Sequence, residues 1–141
     1  MTYYNKEVLR IREQHFPKPY ITEHLSRARN FIDENCCNTI DLQIISEFSL
    51  LSKFHFTRLF KRHYGITPYQ YLTERRMQVA KKLLASNKTV IETCYHIGFD
   101  SPNTFSATFS KYAGMSPSEY RKKQFSIRLS QRSAPILSFI K

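Results

Sequence analysis

Gly65-Ile66-Thr67-Pro68-Tyr69-Gln70-Tyr71 returns later in the chain as Gly114-Met115-Ser116-Pro117-Ser118-Glu119-Tyr120. The two glycines stand 114 − 65 = 49 residues apart. Each follows a periodic apolar run, so each reads as the left-handed residue on which a helix ends. Thr67 and Ser116 are then N-caps, and the proline after each takes the first helical position, where a missing N–H loses nothing. Gln70 and Glu119, three residues past the caps, complete a capping box in each copy. One helix stops and another starts, twice, by the same chemistry.

Outward from this motif the offset persists, pairing Phe60 with Phe109, Phe56 with Phe105 and Ser52 with Ser101. Further upstream Asp41 and Thr89 predict the N-caps of two short helices, Leu42 to about Phe48 and Val90 to about Ile97. Their spacing is 89 − 41 = 48, so one connection differs by a residue. Ser46 and Cys94 then share a place in mid-helix, and both are small, as a close crossing by the next helix requires. Gly98 supplies the turn residue in the second copy, whereas the first has Leu50, which packing would have to hold there. A helix from Ile21 to about Asn35 puts Ile21, Leu25, Ala28, Phe31 and Ile32 on one stripe. A linker helix from Pro68 to about Ser86 turns Leu72, Val79, Ala80, Leu83 and Leu84 inward. Residues 1–18 form an N-terminal extension with a short helix around Val8, Leu9 and Ile11, which Pro17 and Pro19 would break. Residues 19–124 hold the repeated units, and 125–141 are a tail of unassigned structure. No segment alternates as a strand does, so the expected fold is all-α.

The 141 residues include 22 Lys+Arg against 11 Asp+Glu, a net charge of +11. Such a surplus points to a polyanion, either nucleic acid or an acidic membrane surface. With 41% hydrophobic residues a packed core needs no staples. Cys36, Cys37 and Cys94 have no C-x-x-C spacing and no histidine at zinc-ligand distance, so neither a disulfide framework nor a metal site is expected. The N-terminus lacks the apolar segment of a signal peptide, and no stretch approaches a membrane span. A cytoplasmic protein without cofactor is the expectation.

The run Ser52 to Tyr64, SKFHFTRLFKRHY, has two faces. Phe56, Leu59, Phe60 and His63 follow the spacing of burial, with His63 read as a core residue. Phe54, Thr57, Arg58 and Lys61 repeat that spacing on the opposite side. This second face carries no acid and presents a large aromatic to water. A DNA major groove accounts for both, offering guanine N7 and O6 to arginine and thymine methyls to apolar side chains. Lys53 and Arg62 would hold phosphates. In the second copy, Phe105, Thr108, Phe109 and Tyr112 point inward, leaving Asn103, Thr104, Ser106, Ala107 and Ser110 outward with Lys111 nearby.

These features together resemble the AraC/XylS family of bacterial transcription regulators. The resemblance spans about Tyr20 to Lys123. It rests on Ser52 to Arg62, on Arg76-Met77-Gln78-Val79-Ala80-Lys81-Lys82-Leu83-Leu84, on Ile97-Gly98-Phe99 with Phe105 and Phe109, and on Gly114 to Arg121. It implies seven helices in two helix-turn-helix subdomains, with recognition helices entering adjacent major grooves of double-stranded DNA. Base contacts carried over by position are Phe54, Thr57 and Arg58 in the first copy and Asn103 and Thr104 in the second. Ser52, Lys53, Lys61, Arg62, Ser101, Ser106 and Lys111 would serve phosphates or flank the site. Where the family often has arginine and lysine, this chain has Ala107 and Ser110, so the second copy reads as the weaker. The chain looks like a short stand-alone member, or the DNA-binding end of a larger sensor. It is expected to act as a monomer on DNA, associated with the nucleoid, with RNA polymerase as its protein partner.

Two other classes compete. Some DNA-repair methyltransferases carry a similar module, but the three glycines are used in turns, leaving no phosphate loop or G-x-S-x-G. His15, His24, His55, His63 and His96 share no metal-like spacing, so no catalytic or metal residues are expected. An unspecific nucleoid-packaging protein would need only the charge.

Overall fold

A computed structural model describes residues 18–139, with side chains over residues 20–132. The described residues form helices α1 (Lys18–Asn35), α2 (Leu42–Glu47), α3 (Lys53–Tyr64), α4 (Pro68–Ala85), α5 (Val90–His96), α6 (Pro102–Ala113) and α7 (Pro117–Phe139), with no strand among them. The chain divides within α4, between Thr73 and Glu74, into two compact units.

In the first unit, α1, α2 and α3 pack around Leu25, Ala28, Ile32, Ile45, Phe56 and Phe60, all buried. Phe60 lies 5.6 Å from Phe56 and 5.9 Å from Tyr71, edge-on to both. Edge-to-face contacts of this kind add to the area each ring buries. Tyr71 completes the anchor by donating its hydroxyl to Asp33 Oδ1 at 2.6 Å. The second unit repeats the pattern one offset later, with Phe109 5.8 Å from Phe105 and 5.4 Å from Tyr120. Around them Met77, Ala80, Leu84, Cys94 and Ile97 are buried. Ser46 and Cys94 are closed off from solvent, as their shared small size requires. Burial pushes the Cys94 thiol above its ordinary value, and Asp100 adds to the shift.

Helix ends follow the caps in the sequence. Asp41, Ser52, Thr89 and Ser101 each accept from the backbone N–H three residues on. Thr67 and Gln70 exchange both bonds of a capping box, at 3.1 and 3.0 Å. Thr89 and Glu92 form another. At Ser116 half the expected box is present among the described bonds, Glu119 N donating to Ser116 Oγ at 3.2 Å.

Four expectations need correction. The first described helix starts at Lys18, ahead of the expected Ile21, with Pro19 in its first turn, where the N–H that proline lacks has no intrahelical acceptor. The short helix around Val8, Leu9 and Ile11 lies outside the described residues. Of the inward α4 residues, Val79 and Leu83 are half-buried, while Met77 is buried in their stead. His63 and Tyr112, equivalent by the 49-residue offset, are both exposed although their azimuth matches the buried face. Each stands in the last turn of its helix, and His63 rests edge-on against Tyr64 at 4.6 Å. Finally, Leu50 does adopt the left-handed conformation, at φ 58°, yet packing does not hold it, since the side chain is 71% exposed.

Hydrogen bonds hold Leu50 instead. Gly98 ends α5 with paired bonds, Gly98 N to Tyr95 O and Phe99 N to Cys94 O, the Schellman pattern. After α2 the shorter bond persists as Leu50 N to Glu47 O, but Leu51 N turns to Ser49 Oγ at 3.3 Å. Ser49 itself donates to Ser46 O at 2.6 Å. A left-handed non-glycine residue costs about 1–2 kcal/mol, and glycine gives back about 0.5–1 kcal/mol through its freer unfolded chain. Leu50→Gly is therefore expected to stabilise the protein by roughly 0.5–1 kcal/mol, read as a higher denaturation midpoint at unchanged m-value. A lower midpoint would mean that the exposed side chain packs after all.

Candidate nucleic-acid interface

α3 is held from three sides, and its fourth is left open. Ser52 caps its start, Phe56 and Phe60 pin its inner face, and Gly65 at φ 84° closes its end by donating to Lys61 O at 2.8 Å. On the outer face Phe54 is 72% exposed, the most exposed large apolar side chain among those described. Lys53, Arg58, Lys61 and Arg62 are exposed around it, with Thr57 half-buried between them. The expected first-copy residues therefore share one surface.

Details of that surface decide what it can do. Thr57 donates its hydroxyl to Lys53 O at 2.8 Å, which ties the side chain to the preceding turn of the helix. Arg58 Nη2 stands 3.4 Å from His55 Nδ1, on a ring that is itself buried. A guanidinium can only donate, so the ring nitrogen accepts and steadies the base of the arginine fork. Sequence reasoning gave His55 no role, although its place three residues before Arg58 on one helix was the available signal. Among the described residues no carboxylate pairs with Lys53, Lys61 or Arg62. Lys61 and Arg62 lie in the last turn, where the helix dipole welcomes cations. Lys53 is in the first turn, where the dipole opposes it.

In the second unit α6 is built alike and dressed differently. Ser101 caps it, and Phe105 and Phe109 are buried beneath it. Asn103, Thr104, Ala107 and Lys111 are exposed, Ser106 and Ser110 half-buried. Thr104 takes the place of His55 but points to solvent, while Asn103 and Ala107 stand where Phe54 and Arg58 stand in α3. Ser110 turns its hydroxyl back to Ser106 O at 2.8 Å. Expected burial of Thr108 is partial. This face can offer one amide, short hydroxyls and a single cation, against four cations and an aromatic ring on α3.

Comparison with known proteins follows the same outline. Residues 46–123 match the helix-turn-helix domain family. The chain is 36% identical over 100 residues to the probable transcriptional regulator LumQ of Photobacterium leiognathi, covering 70% of this chain but 39% of that protein. It is 34% identical over 93 residues to the multiple antibiotic resistance protein MarA of Escherichia coli, covering 65% of this chain and 73% of MarA. Among solved structures, the DNA-binding domain of the global transcriptional factor AdpA, crystallised with a target DNA, superimposes with a TM-score of 0.70 at 26% identity. That match covers 74% of this chain and 96% of that domain.

Because the dipole at the start of α3 opposes a cation, Lys53→Ala is expected to leave stability unchanged or to raise it by about 0.3–1 kcal/mol. Thermal unfolding at low ionic strength measures this. A clear loss of stability would assign Lys53 a structural contact.

Proposed function

From a chain that belongs to the AraC family of helix-turn-helix, DNA-binding transcriptional regulators, we propose a monomeric regulator whose α3 is the principal reader of its DNA site. What carries this reading is the outer face of α3, where Lys53, Arg58, Lys61 and Arg62 surround an exposed Phe54. Arg58 forks onto guanine N7 and O6, and Phe54 packs on a thymine methyl beside it. Thr57 adds its methyl or accepts from a base donor. Lys53, Lys61 and Arg62 grip phosphates, with the Ser52 hydroxyl hydrogen still available to donate to one. α6 reads the second half of the site through Asn103, with an amide suited to adenine, and Thr104. Ser101, Ser106 and Lys111 flank it on the backbone.

Two reading helices on one polypeptide favour a single asymmetric site of about two helical turns over an inverted repeat that needs a dimer. Such a regulator works where bacterial DNA is, in the cytoplasm at the nucleoid. It activates by contact with RNA polymerase and performs no catalysis. Among the described residues no helix is long and apolar enough to cross a membrane.

Selection from a random DNA pool, followed by footprinting, tests the reading. One protein per DNA should protect about two turns, and obligate dimers on an inverted repeat would overturn it. Affinity should fall steeply with salt, and Lys53→Ala or Arg62→Ala should weaken all sequences alike while flattening the salt slope by about one.

Within the selected site the two halves should differ. Arg58→Ala should cost about 1–3 kcal/mol and relax preference at one base pair of the first half-site. Asn103→Ala should cost less. If mutations in the second half-site hurt more, α6 is the principal reader.

A further inference from the structure

The turn that follows α1 carries two adjacent thiols, Cys36 and Cys37, that no step of DNA recognition uses. Adjacent residues on a helix diverge by about 100°, which would separate their side chains. Here the helix has already ended at Asn35, and the chain turns across both cysteines. Asn35 and Asn38 clamp that turn from either side. Asn38 N donates to Asn35 O at 3.0 Å, and Asn38 Nδ2 donates to Asn35 Oδ1 at 3.0 Å. Asn35 is in turn tied to α1 by donating from Nδ2 to Phe31 O at 3.0 Å. Between these clamps the two sulfurs lie side by side, 3.8 Å apart. Cys36 is buried, and Cys37 is half-buried.

A direct disulfide fits this pair badly. Consecutive Cα atoms are about 3.8 Å apart, below the ~4.4–6.8 Å a disulfide usually spans. The sulfurs are also separated by nearly twice an S–S bond of about 2.05 Å. One atom bonded to both would bridge that gap. Zinc would call for further ligands, and among the described residues no cluster of three or more His, Cys, Asp or Glu supplies them. A two-coordinate soft metal prefers its sulfurs on opposite sides of itself, which neighbouring residues cannot provide. Trivalent arsenic is pyramidal, is thiophilic, and takes its ligands side by side.

We propose that Cys36 and Cys37 form a binding site for trivalent arsenicals. Cys37, the more accessible thiol, attacks first, and Cys36 closes the ring. With an arsenoxide R–As=O, two S–H bonds break and two As–S bonds form, and the oxygen leaves with both protons as water. Arsenic stays trivalent, and no oxidant or reductant is consumed. The site lies between α1 and α2, in the unit that carries Arg58.

Phenylarsine oxide added to the full, reduced chain tests this. One arsenical should bind per chain with the mass of the reagent less one water, and two thiols should disappear from a thiol titration. The adduct should resist a monothiol and be released by a dithiol. Cys36→Ser and Cys37→Ser should each lower affinity by roughly 100-fold, the loss expected when the second of two linked bonds is removed. Cys37 is half-buried, so its serine variant keeps the test valid should the buried Cys36 prove necessary for folding. Cys94→Ser should bind like the parent, since that thiol is distant in sequence and enclosed by its own unit. Equal affinity in the parent and Cys37→Ser, loss of a single thiol, or loss of binding in Cys94→Ser would overturn the proposal.

Discussion

Phe60 against Phe56 and Tyr71, and Phe109 against Phe105 and Tyr120, are the contacts on which the other features rest. The first set joins α3 to α4 and the second joins α6 to α7, each across a left-handed glycine and a capped start. Removing one such ring from a core costs about 3–5 kcal/mol, a large share of the stability of a small domain. With the inner face committed to that clamp, the outer face of the helix is settled by geometry. Phe54, Arg58 and Lys61 are outside because Phe56 and Phe60 are inside.

That constraint explains why so much could be read before any coordinates. Caps, glycines and the 49-residue offset are local chemistry, and local chemistry is written in order along the chain. Asp41, Ser52, Thr67, Thr89 and Ser101 all start helices as their side chains dictate. Azimuth was legible too, and it placed Phe54, Arg58 and Lys61 together on one exposed face. Depth was not. His63 and Tyr112 have the direction of core residues, but burial also depends on depth, and both stay exposed in the last turn of their helices. The same holds for Leu50, whose left-handed turn was readable while its support by Ser49 and Glu47 was not. His55 beside Arg58 shows the reverse case, a helical neighbour visible in sequence whose importance emerges only from a 3.4 Å contact.

Stability and recognition pull against each other at the start of α3. An acidic residue there would suit the dipole, as Glu92 does in the first turn of α5. Instead the chain puts Lys53 in the first turn, adds Arg58 above it and, among the described residues, supplies no carboxylate for Lys53. The mutual repulsion of these cations is a cost that the folded, unbound chain carries on that face.

The aromatic clamps have a further consequence for which side chains can change. Positions 56, 60 and 71 and their partners 105, 109 and 120 are the same or nearly so in both units, while 54, 57, 58 and 61 share no residue with 103, 106, 107 and 110. The two copies differ on that outer surface and agree in the foundation beneath it. The outward side chains can therefore be replaced a few at a time, each step leaving a protein that still folds.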